Sequence, residues 1–79
     1  MKITVKTLGD SIYEFTQKDG RLFFENEDIS GEVVCFLSGP INVGKRISME
    51  FLKDGIPHTR SNYITILNTT LVTKITVIP

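Results

Sequence analysis

Apolar and polar residues alternate with a period of two along most of this chain, as in Lys2-Ile3-Thr4-Val5-Lys6-Thr7 and Ile47-Ser48-Met49-Glu50-Phe51. Successive side chains of an extended strand point to opposite faces, so this pattern makes one wet face and one buried face. An amphipathic helix needs a period near 3.6 instead. The residue choice agrees. Isoleucine, valine and threonine supply 25 of the 79 residues, and alanine is absent. β-Branched side chains lose rotamer freedom in a helix and fit a pleated surface, whereas alanine is the best helix former. The chain is expected to be all-β.

Turn residues cut the alternation into short pieces. Strands are expected over 2–7, 12–17, 21–25, 32–37, 46–52, 62–67 and 71–78, separated by Gly9-Asp10-Ser11, Asp19-Gly20, a loop over 38–44, Asp54-Gly55 and Asn68-Thr69-Thr70. Two registers are open for the first Asp-Gly hairpin. A two-residue loop pairs Phe15 with Phe24, and a three-residue loop with a glycine bulge pairs Phe15 with Phe23. The first sets Glu14 opposite Glu25, an unfavourable like-charge pair, so the bulged register is preferred. Pro57 places the return strand of the second hairpin at an edge or delays its start. Glu32 begins the most continuous apolar run, the candidate central strand, and Cys35 within it reads as a small buried hydrophobe. Seven or eight short, mostly antiparallel strands in one domain over 1–79 point to a small barrel. An SH3-like arrangement is preferred, with an OB-like barrel or a compact sandwich second.

Two short sequences recur. Lys-Ile-Thr-Val stands at 2–5 and 74–77, and Glu-Phe precedes Lys-Asp-Gly at 14–20 and again at 50–55. No single period relates them, so they read as coincidences in a low-diversity β sequence. Both terminal strands nevertheless turn lysine and threonine outward, which discourages edge-to-edge aggregation.

Nine basic and nine acidic residues cancel, which disfavours a general nucleic-acid binder and an acidic nucleic-acid mimic alike. A domain of this size buries only about 60% of its unfolded surface, enough for one core but not for a deep substrate cavity as well. Function is therefore expected on an outer face or on loops. One cysteine permits no disulfide framework. No apolar run reaches the length of a membrane span, and the first residues lack the apolar stretch of a secretion signal, so a cytoplasmic protein without a membrane partner is expected. The wealth of isoleucine, lysine and asparagine without alanine suits an AT-rich genome, such as that of a low-GC bacterium or its phage.

One segment carries a motif. Gly39-Pro40-Ile41-Asn42-Val43-Gly44-Lys45-Arg46 resembles the phosphate-binding P-loop of GTPases over eight residues. The resemblance implies that Gly39 and Gly44 shape an amide cradle and that Lys45 reaches a phosphate. The chain departs from that family in three ways. Arg46 stands where a magnesium-binding hydroxyl belongs, a strand pattern follows where a helix should begin, and there is no room for a parallel sheet with crossovers. The loop is then a turn between strands, or a simple anion site in which Lys45 and Arg46 act with Arg60.

Other chemistry is sparse. Glu25-Asn26-Glu27-Asp28 reads as a solvated loop and does not match a calcium loop. His58, the lone histidine, reads as a surface residue, set across from Glu50 in one register of the second hairpin. No cofactor, metal site or catalytic constellation is read from the chain, and an enzyme is not expected. Tyr13, Phe15, Phe23 and Phe24 place aromatics on both faces of the first hairpin, so part of that surface is expected to be exposed for a partner. The functional expectation is a non-enzymatic protein-binding module, a small regulator or a phage-type inhibitor of a host protein. The alternative is a binder of a small phosphorylated ligand or single-stranded nucleic acid through Gly39, Gly44, Lys45, Arg46 and Arg60. A homo-oligomer is compatible with either, because free strand edges can pair with a second copy.

Overall fold

The structure is a computed structural model that describes residues 1–55 and 64–79. Within them the alternating segments form six strands: β1 (Lys2–Thr7), β2 (Ile12–Lys18), β3 (Arg21–Glu25), β4 (Ser30–Phe36), β5 (Arg46–Lys53) and β6 (Thr65–Ile78). All pair antiparallel with their sequence neighbours, and β6 returns to pair with β1, closing a barrel. This is the small all-β barrel that the alternation and the β-branched composition predict. Its neighbours are consecutive in the chain, so the order is up-and-down and not the Greek key of an OB barrel. No helix among the described residues is long and apolar enough to cross a membrane.

Six strands appear in place of seven or eight because the last two expected strands are one. β6 runs through Asn68-Thr69-Thr70 without turning back. Its first half pairs with β5 (Thr65 to Leu71), and its second half pairs with β1 (Val72 to Ile78). Where a strand changes partner its ladder is interrupted, and here Thr69 repairs it. The buried Thr69 Oγ1 accepts the Ile47 N–H at 3.0 Å and donates to the Thr70 carbonyl at 2.7 Å. Thr69→Val keeps the shape but orphans a buried N–H, so it is expected to cost about 1–3 kcal/mol in urea unfolding. Thr69→Ser keeps the hydroxyl and is expected to recover most of that loss.

The core consists of Val5, Tyr13, Phe15, Phe24, Ile47, Met49, Phe51 and Val72. They occupy the inward positions of β1, β2, β3, β5 and β6. Phe24 meets Phe51 edge-on, with centroids 4.8 Å apart, and Phe15 lies between Phe24 and Phe36 at 6.2 and 5.9 Å. Such offset and edge contacts match the ring quadrupoles.

The first hairpin takes the two-residue register, pairing Phe15 with Phe24 and Lys18 with Arg21. The expected bulge is absent. Asp19 (φ 54°) and Gly20 (φ 75°) both adopt positive φ, the geometry of the tight turn whose twist suits a hairpin. Pairing the two phenylalanines inward outweighs the cost of setting Glu14 opposite Glu25, because both charges face water and Lys2 lies 3.1 Å from Glu14.

Candidate functional site

Three of the aromatics expected at a binding surface belong to the core. Tyr13, Phe15 and Phe24 are buried, because alternation puts Tyr13 and Phe15 on the inward face of β2 and the two-residue register sets Phe24 against Phe15. Phe23 remains half-buried on the outer face, beneath the Arg21 guanidinium at 5.6 Å. Arg21 is held there by a two-pronged ion pair with Glu32. The aromatic patch expected on the first hairpin is therefore reduced to one partly covered ring.

The loop over 39–46 docks on the middle of β6. The Gly44 N–H donates to the Val72 carbonyl at 2.8 Å, and the Val72 N–H donates to the Lys45 carbonyl at 2.8 Å. The Lys45 N–H donates to the Asn42 carbonyl at 3.3 Å. Two amides that an anion cradle would use are thus committed to main-chain carbonyls, and a strand follows the loop. Gly39 lies at the far side of the turn with φ 80°, and the Lys45 and Arg46 side chains are exposed. Arg60 and His58 lie outside the described residues.

That docking builds a surface the sequence reading missed. Arg46 on β5 is the cross-strand partner of Leu71 on β6, and the Leu8 N–H donates to the Leu71 carbonyl from the end of β1 at 2.8 Å. Arg46, Leu71 and Leu8 therefore form one row across β5, β6 and the turn that follows β1. Their inward neighbours Ile47, Val72 and Thr7 are buried, so the row itself faces out. Leu8 is 66% exposed, Leu71 39% and nearby Val43 60%. A signal existed in the sequence. Leu71 and Val72 are adjacent in a strand and must face opposite sides, so one of them has to be outside.

Elsewhere the outer surface carries isolated features. Cys35 is exposed and not buried as expected, because a bulge between Val33 and Cys35 inserts Val34 and turns the thiol outward. There it donates to Glu50 Oε1 at 3.2 Å. This hydrogen bond, aided by desolvation and the carboxylate charge, pushes the Cys35 thiol pKa up. Glu50→Gln removes that charge and exposes more thiolate. Iodoacetamide labelling of Cys35 at pH 8 is then expected to run roughly two- to fourfold faster, the lower nucleophilicity of the weaker base offsetting part of the gain. Among the described residues no group of three or more His, Cys, Asp or Glu side chains converges to hold a metal. A concavity outside β2 and β3, lined by Glu14, Thr16, Phe23, Glu25 and Asp54, is open and acidic.

No protein-family model, curated protein or solved structure matches this chain.

Proposed function

We propose that the chain is a non-enzymatic protein-binding module whose contact surface is the row Arg46–Leu71–Leu8 with Val43 and Lys45 beside it. The observation that carries this reading is the pair of outward leucines in one row with an arginine, across β5, β6 and the turn that follows β1. The buried centres of interfaces are more apolar than the rest of the surface and are enriched in arginine while other charges are depleted. The two cations select a partner that offers acidic groups around an apolar contact. A small regulator or inhibitor acts in this way, by occupying the surface of another protein.

The test is a photo-crosslinking residue placed at Leu71, with the same residue at exposed Thr16 as the control. In a lysate of the source organism, Leu71 is expected to yield one discrete adduct that disappears with Arg46→Glu and that Thr16 does not give. No adduct, or identical adducts from both positions, overturns the reading. The phosphate-ligand alternative is separated by a melt panel with magnesium nucleotides, phosphate and single-stranded oligonucleotides. Under the protein-binding reading the midpoint stays unchanged. A saturating ligand would raise it by about 10 °C or more.

A further inference from the structure

We infer that the first half of β6 is a self-pairing edge through which two copies of this chain join antiparallel about a two-fold axis. The direction of the main-chain groups there follows from β5. The Ser48 carbonyl accepts the Leu37 N–H at 2.7 Å, and its N–H donates to Ser38 Oγ at 3.0 Å, so Ser48 addresses the β4 side. Met49 and Phe51 have the alternate parity and address β6, where their partners are Leu67 and Thr65. The N–H and C=O groups of Ile66 and Asn68 therefore aim away from β5. β1 does not reach them. Its last contacts with β6 are the Leu8 N–H to the Leu71 carbonyl and the Gly9 N–H to Thr70 Oγ1 at 3.2 Å. No described residue bonds the outer side of 65–68.

Strand edges are ordinarily protected by lysine, proline or a bulge. The other half of β6 is protected in that way, with Lys74 inside it and Pro79 after it. The segment Thr65-Ile66-Leu67-Asn68-Thr69 has no charge and no proline, and its Ile66 side chain is 58% exposed. Charge decides for a second copy as the occupant. An uncharged strand meets its own image without the like-charge repulsion that self-pairing of a lysine-bearing edge incurs, and it offers nothing for a charged partner strand to recognise. An antiparallel pair centred on Leu67 sets Ile66 opposite Asn68 of the second copy, and the reverse, so all four outward groups are bonded. It also joins β4, β5 and β6 of both copies into one continuous sheet, a same-patch interface of two-fold type. This surface shares no residue with the Arg46–Leu71–Leu8 row, so either can fail alone.

Sedimentation from about 5 to 500 µM is expected to show a monomer–dimer equilibrium in the micromolar range. Ile66→Lys is expected to weaken it at least about tenfold, while Thr76→Lys on the protected half leaves it unchanged. In the unmodified protein, amide exchange at Ile66 and Asn68 is expected to slow as concentration rises. A monomer throughout the range, or a dimer in which those two amides exchange at a concentration-independent rate, overturns the inference. The exchange readout needs no variant, so loss of folding in Ile66→Lys does not blunt the test.

Discussion

Phe51→Ala is expected to lower stability by about 3–5 kcal/mol and to leave much of the population unfolded at room temperature. Phe51 is 1% exposed and carries the edge-on contact with Phe24, which in turn joins Phe15 and Phe36 in the aromatic chain through the barrel. A barrel of this size has one core and no second cluster to absorb the loss. Removing the ring leaves a cavity between strands whose spacing is fixed by their own hydrogen bonds, so collapse around it is limited. Urea unfolding followed by circular dichroism measures the change. A cost below about 1 kcal/mol would mean that the core repacks freely, contrary to the interlocked rings seen here.

Gly31→Ala is expected to cost about 2–4 kcal/mol, a large effect for one methyl group. Gly31 sits in β4 with its backbone against β5. An added Cβ would overlap the Leu52 carbonyl oxygen and press on Phe51 Cδ2 at 3.0 Å. Because the closer obstacle is main chain, trimming Phe51 should relieve little of the strain. The pair Gly31→Ala and Phe51→Leu is therefore expected to be nearly additive, and a double-mutant cycle measures this. Strong rescue by Phe51→Leu would show that the ring, not the carbonyl, sets the limit.

Most of the fold was legible because it rests on periodicity. Five strand positions, the all-β class and the preference for a small barrel follow from alternation and turn residues, whereas strand order and closure over a sandwich do not. What was not legible depended on how strands share partners. Asn68-Thr69-Thr70 has turn chemistry, yet it lies inside one strand, because the Thr69 hydroxyl supplies the bond that the ladder lacks as β6 passes from β5 to β1. Cys35 was read inward because nothing in Val33-Val34-Cys35 announces a bulge. The aromatic surface shrank because Tyr13 and Phe15 share the inward face of β2, and register decided only that Phe24 joins them while Phe23 stays outside. A one-residue slip of β3 exchanges its inward and outward side chains, and pairing Phe15 with Phe24 in the core outweighed a solvated Glu14–Glu25 opposition. Arg46 begins β5, as the strand pattern over 46–52 implies, and the Lys45 and Arg46 side chains are exposed beside the loop. Leu8 and Leu71 were overlooked because a lone leucine beside a turn resembles ordinary strand sequence until its neighbour is known to be buried.

The closing seam has a kinetic consequence. Every other strand pair joins consecutive strands, but β1 and β6 match Lys2 with Ile78, at nearly opposite ends of the chain. Bringing such distant residues together carries the largest loop-closure entropy in the molecule, and it is rewarded only after the intervening hairpins have formed. The hairpin at Asp19-Gly20 can nucleate early and locally, whereas the seam zips last. Conservative substitutions at Thr4 or Thr76, which face each other across it, should then accelerate unfolding while leaving the refolding rate nearly untouched.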